Sequence, residues 1–95
     1  MRVSFHPQAN KEVEDAQAWY EERSLLAAAG FLHELSKAVR QIGEAPNRYP
    51  LALHGTRRVV LERFPFNIFY RVGGSEVVVV ALAHQKRRPG YWADR

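Results

Sequence analysis

Seven cations lie on or beside one stretch of this chain, RRVVLERFPFNIFYRVGGSEVVVVALAHQKRR: Arg57, Arg58, Arg63, Arg71, Lys86, Arg87 and Arg88. Guanidinium and ammonium groups gathered in this way suit the grip of phosphates or carboxylates. The run Lys86-Arg87-Arg88 taken alone is the pattern of a solvated loop. With Arg57, Arg58 and Arg63 projecting from neighbouring strands it reads as a binding surface. His84 falls where the last strand should end. Its ordinary pKa near neutrality suits proton transfer, and its position suits equally a bond that closes the strand on a loop carbonyl. Arg71 also has two readings, as part of the cationic surface or as the cross-strand partner of Glu76. The chain has no cysteine, and His6, His33 and His54 are scattered over strand, helix and loop without ligand spacing. No metal site and no cofactor are expected.

These cations need a sheet to hold them. Phe66, Ile68, Tyr70 and Val72 alternate with Asn67, Phe69 and Arg71, the period of a strand with one face inward. Gly73-Gly74 can supply the positive φ angles of a two-residue hairpin, after which Val77 to Ala83 returns as a β-branched, apolar run. Such a hairpin sets Tyr70 against Val77, Ile68 against Val79 and Phe66 against Ala81 on the buried face. Its other face pairs Arg71 with Glu76, Phe69 with Val78 and Asn67 with Val80. That face, half polar and half apolar, is a candidate for cover by a partner.

The rest of the chain supplies the packing. Arg2 to His6 alternates as a short strand, and Pro7 suits the first turn of a helix that continues through Ala9, Val13, Ala16 and Tyr20. Ser24 is placed to cap a second helix with Ala28, Phe31, Leu32, Leu35, Val39 and Ile42 along its apolar stripe, and Gly43 and Pro46 should stop it. Phe31, Leu35 and Ile42 should then pack on Ile68, Tyr70 and Val79. Residues 45–56 read as a loop, and Tyr91-Trp92-Ala93-Asp94-Arg95 as a tail that packs its aromatics back on the body. The order is β-α-α-β-β-β: one α+β domain over residues 1–95, an antiparallel helix hairpin on one face of a mostly antiparallel sheet.

With 95 residues, 46% of them apolar, the chain can bury roughly 60–65% of its unfolded surface. The net charge of +4 is unevenly spread. Residues 1–35 carry three Lys/Arg against six Asp/Glu, a net of −3; residues 36–95 carry eleven against four, a net of +7. The basic part favours an acidic partner, nucleic acid or acidic protein. The longest apolar run, Val77 to Ala83, is far short of the roughly 20 residues that span a bilayer. Charged residues fill positions 2–15, so no secretory leader is expected either. A cytoplasmic protein without a membrane partner follows.

Read together, several pieces carry a resemblance. They are Trp19-Tyr20-Glu21-Glu22-Arg23, Phe31-Leu32-x-x-Leu35, Pro46-x-x-Tyr49-Pro50 and Arg57-Arg58. Arg63-Phe64-Pro65-Phe66-x-Ile68-x-Tyr70-Arg71-Val72 and Ala83-His84-x-x-Arg87-x-Pro89-x-Tyr91-Trp92 complete the set. In order and spacing the chain resembles the ParE/RelE toxins of bacterial type II toxin–antitoxin systems. The resemblance implies a small basic toxin that arrests growth, neutralised by a cognate antitoxin whose acidic segment wraps the basic sheet in a toxin–antitoxin hetero-oligomer.

The family divides by chemistry. RelE-like members are ribosome-dependent endoribonucleases of mRNA, whereas ParE-like members inhibit DNA gyrase and lack a nuclease centre. Metal-free RNA cleavage needs cations on the scissile phosphate and a group that moves protons. By resemblance, a middle-strand arginine, a basic residue after the last strand and a tyrosine near the C-terminus fall at Asn67, Arg87 and Tyr91. Asn67 brings no charge, with Arg71 on the same face as a substitute. Under the ribonuclease reading Arg71, His84, Arg87 and Tyr91 are catalytic. Otherwise Arg57, Arg58, Arg63, Asn67, Phe69, Lys86 and Arg88 belong to a binding surface. Asn67 tilts the balance toward an inhibitor that binds a protein target. A non-toxic nucleic-acid-binding module, the third reading, lacks any recognised motif.

Overall fold

Alternation and helical spacing resolve into β1 (Arg2–Phe5), α1 (Pro7–Glu21), α2 (Leu25–Glu44), β2 (Arg57–Val60), β3 (Phe66–Val72) and β4 (Glu76–His84). The structure, a computed structural model, describes residues 1–95. The strands form one sheet in the order β1-β4-β3-β2, with β1 parallel to β4 and the other pairs antiparallel. This is the expected β-α-α-β-β-β order.

Local chemistry sets the helix ends. His6 Nδ1 accepts from the Gln8 N–H ahead of Pro7 in α1, and the extended Ser24 accepts from the Ala27 N–H to start α2. Gly43, expected to end α2, does not; the helix runs on through Glu44, short of Pro46. Gly43 instead permits a close approach. A Cβ there would lie 2.9 Å from the Met1 carbonyl oxygen, and its own carbonyl accepts the Met1 amine at 2.6 Å. The glycine seats the start of β1 against the end of α2.

Between the helices and the sheet lies one buried cluster. Ala9, Ala16, Phe31, Leu35, Ala38 and Ile42 meet Val59, Ile68, Tyr70, Val77, Val79 and Leu82. Phe31 is its aromatic hub, with ring centroids of Tyr20, Phe64 and Phe66 at 5.4, 5.6 and 5.8 Å.

The β3–β4 register departs from the two-residue hairpin in two ways. First, the connection has three residues, Gly73 to Ser75, with the Gly73 N–H donating to the Glu76 carbonyl across it; Val72 faces Val77 and Tyr70 faces Val79. Neither Gly73 nor Gly74 takes a positive φ, because the longer loop has no need of it. This slip of two residues preserves the faces. Second, a bulge between Phe69 and Tyr70 accommodates Val80 as an extra residue, so that Phe69 faces Ala81, Ile68 faces Leu82 and Phe66 faces His84. Ala81 therefore leaves the helix-facing core expected of it, and Leu82 takes the place. Arg71 lies opposite Val78, and Glu76 lies opposite Arg2 of β1, so the expected Arg71–Glu76 pair does not form.

The second face, expected to await a partner, is largely covered by the chain itself. Trp92 is 1% exposed over Val80, Ala81 and Ala83 and packs on Phe69 with centroids 4.5 Å apart. The tail does pack its aromatics back.

Phe31→Ala should lower the unfolding free energy by about 3–5 kcal/mol, much of the roughly 5–15 kcal/mol available to such a domain. Urea denaturation checks this; an unchanged midpoint would mean that Phe31 is not the hub of the core.

Candidate functional site

One carboxylate organises the end of the sheet. Glu12 lies on the inward side of α1, three residues after Ala9 and four before Ala16, both buried. β1 ends at Phe5, so beyond Val79 no strand continues along that side of β4. The Glu12 side chain fills the gap. It accepts the Leu82 N–H at 3.0 Å, the Tyr91 hydroxyl at 2.5 Å and the Arg95 guanidinium at 2.8 and 3.2 Å. Arg95 also donates to the Val80 carbonyl at 3.1 Å. The Glu12 and Arg95 side chains are only 16% and 13% exposed. Tyr91 is held neutral: burial pushes its pKa well above the ordinary value, the Glu12 hydrogen bond and charge push the same way, and Arg87 and Arg95 pull back less.

Around this latch the structure brings together His84, Arg87 and Tyr91. Arg87 lies over the Tyr91 ring at 3.6 Å and forms a ridge with a concavity on either side. Toward α1 is a cleft of about 390 Å³ walled mainly by Ala16, Trp19, Tyr20, Phe66, Leu82 and Tyr91. On the sheet face away from the helices is a groove of about 500 Å³ that includes Leu53, Arg58, Asn67, Phe69, Arg87 and Arg88. His84 closes the turn after β4, as an acceptor: its Nδ1 takes the Lys86 N–H at 3.1 Å, where a bond to a carbonyl was expected. With Nδ1 so occupied, the neutral ring carries its proton on Nε2. Asn67 accepts from Gln85 Nε2 at 3.3 Å.

The remaining cations are not brought to this place. Arg71 is committed to structure, donating to the His54 carbonyl and, at 2.8 Å, to the Arg95 main-chain oxygen. Arg57 and Arg58 are consecutive on a strand and so point to opposite faces. Arg57 turns to the helix side and donates to the Tyr49 carbonyl at 2.7 Å; only Arg58 reaches the groove. Arg63 pairs with Glu34 of α2 at 3.4 Å, and the same carboxylate accepts the N–H groups of Glu62 and Arg63. Lys86 is exposed in the turn and lines neither concavity. The single surface of seven cations reduces to Arg58, Arg87 and Arg88 along one groove.

Sequence reasoning missed Glu12, Arg95 and Trp19 as parts of the site. An acid set into the apolar stripe between Ala9 and Ala16 was the available signal for Glu12. Arg95 offered none. In chemical terms the arrangement is an apolar cleft beside a cationic groove, with the Tyr91 hydroxyl on the ridge between them already committed to Glu12.

Fold and site define a small basic α+β protein with an apolar cleft beside a cationic groove. Residues 3–89 match the family of the ParE toxin of the type II toxin–antitoxin system parDE, and the chain belongs to that family. A solved structure described as the chromosomal ParDE toxin–antitoxin system from P. aeruginosa shares the fold, with a TM-score of 0.76 and 20% identity over 88% of this chain and 95% of that one. No curated protein matches the sequence.

Because the Tyr91 pKa is raised on folding, the stability tied to it is whole below the free tyrosine value of roughly 10 and is lost as pH climbs toward the folded value. Tyr20 and Tyr70 are raised by burial in the same direction. The protein should lose stability above about pH 10, and Tyr91→Phe should flatten part of that loss. Denaturation midpoints at pH 8 to 11 check this; an alkaline slope identical in the two proteins would contradict the latch.

Proposed function

We propose that this chain is a growth-arresting toxin that acts in the cytoplasm by binding a protein target, with DNA gyrase as the concrete case, and that a cognate antitoxin neutralises it. The observation that carries the choice of binding over RNA cleavage is the Tyr91 hydroxyl, donated to Glu12 and held far from ionisation. Neighbouring facts support the same reading. Asn67 leaves the middle strand without a cation facing the groove, and Arg71, the substitute, is bound to two main-chain oxygens. That leaves His84 and Arg87 as the sole members of the ribonuclease set with an unbonded polar group at the site. General acid–base catalysis with charge stabilisation asks for more. A groove bearing Arg58, Arg87 and Arg88 is suited to hold an acidic protein segment and to speed its arrival by charge.

The test is to induce the protein alone and follow DNA supercoiling and mRNA integrity side by side. Loss of supercoiling with intact mRNA is expected. His84→Gln, which can still accept at the turn, should retain toxicity, while charge reversal at Arg87 and Arg88 should reduce it. Ribosome-dependent cuts in mRNA that fall by about 10²–10⁴-fold in His84→Gln would replace this reading with the ribonuclease one.

A further inference from the structure

In the cleft beside α1 every charge but one is matched. Glu12 is held by Arg95 at 2.8 Å and Asp15 by Lys11 at 2.5 Å. Arg87 is the one charged side chain of the lining that takes part in no ion pair. Its flat side lies 3.6 Å from the centre of the Tyr91 ring, which leaves the N–H groups at its edge free to donate. Beside it the neutral His84 ring offers a second donor, Nε2–H, because Nδ1 accepts the Lys86 N–H. Most of the remaining lining is aromatic or aliphatic. α1 contributes Trp19 and Tyr20, the sheet Phe66 and Leu82, and the tail the Tyr91 ring. The volume of about 390 Å³ is that of a small-molecule site, for which roughly 300–1,000 Å³ is usual.

We propose that the cleft is a binding site for a small, flat aromatic carboxylate, with its rings among Trp19, Tyr20 and Phe66 and its carboxylate on Arg87. The inference goes beyond the function proposed above and does not rest on it. Charge complementarity selects the anion: a single unmatched cation calls for a single negative charge. A guanidinium with a free edge grips a planar carboxylate through two parallel hydrogen bonds. Flat rings can meet the lining stacked or edge-on, as Trp19 and Tyr20 already meet each other at 5.1 Å and 84°. A neutral aromatic would leave Arg87 only water, and an aromatic cation would be repelled by it. An aliphatic acid would forgo the ring contacts. Because Arg87 lines the groove as well, a bound carboxylate would also take one of the three groove cations away from any acidic partner.

The chain carries its own reporters. Trp19 is 52% exposed at the cleft and Trp92 is buried on the other face of the sheet, so their indole N–H resonances respond separately. Indole-3-carboxylate is titrated into the purified, nitrogen-15-labelled protein while both resonances are followed, with Trp19→Phe assigning them. The Trp19 resonance should move and saturate while the Trp92 resonance stays in place. Indole-3-carboxamide, the same shape without the charge, should bind about tenfold more weakly, and cyclohexanecarboxylate, the charge without the aromatic ring, should do likewise. In Arg87→Gln the carboxylate and the carboxamide should bind alike, and an unmoved Trp92 resonance shows that this variant is folded. Equal affinities for carboxylate and carboxamide in the unaltered protein would overturn the inference. So would a Trp19 resonance that stays still at millimolar probe, or movement of Trp92 in its place, which would put the carboxylate in the groove. Uridine monophosphate binding more tightly than indole-3-carboxylate would assign the cleft to nucleotides and overturn it too.

Discussion

The end of the sheet depends on the carboxylate of Glu12. A half-buried acid on an apolar helix face is unfavourable unless its oxygens are saturated. Here they take a β-strand amide, a phenol and a guanidinium, all from residues 82–95. The helix position is therefore tolerable only with the tail docked, and the tail docks only where that carboxylate waits. Everything in the site follows from this mutual dependence. Tyr91 presents its ring to Arg87 because its hydroxyl is fixed below. Trp92, one residue on, is carried over Phe69 and becomes the roof of the second, smaller core.

A second clamp fixes the far wall of the groove. Arg71 joins the His54 carbonyl to the Arg95 main-chain oxygen, tying the 51–56 loop to the tail. His54 is held at φ 55, a left-handed conformation that costs a non-glycine residue about 1–2 kcal/mol. Its ring lies edge-on to Trp92 at 5.7 Å, and Gly90 passes so close that a Cβ would sit 3.1 Å from His54 Nε2. An arginine that looked like a phosphate ligand is thus the tie that gives the groove its shape. It could hardly serve both purposes, since its donors are turned to main-chain oxygens.

Much of this was legible in the residue pattern, and the failures have physical causes. Element order, the Ser24 cap and the return of the tail followed from alternation, helical spacing and hydrophobicity, which are local signals. The grouping of Arg57 with Arg58 failed because adjacent residues of a strand cannot share a face. Arg63 failed because Glu34, twenty-nine positions earlier in sequence, meets it only in the folded chain. Gly43 looked like a helix terminator because its real partner, the Met1 carbonyl, lies at the other end of the numbering. Glu12 was visible as an acid out of place on its stripe, but nothing local names three partners some seventy to eighty residues away.

The bulge at Val80 explains why the cleft exists at all. Side chains alternate strictly along a strand, so a regular β4 continuing from Val77 and Val79 would turn Ala81 and Ala83 toward the helices and Leu82 and His84 away from them. One extra residue reverses the parity from that point on. Leu82 now completes the helix-facing core, and His84 stands opposite Phe66 with its ring edge-on at 5.3 Å. On the other face Val80 and Ala81 fall side by side, a flat apolar platform on which Trp92 can lie. The same insertion thus gives the cleft its histidine wall and the tail its seat. Because the tail places Tyr91 under Arg87, the ridge between cleft and groove is a consequence of that single residue as well.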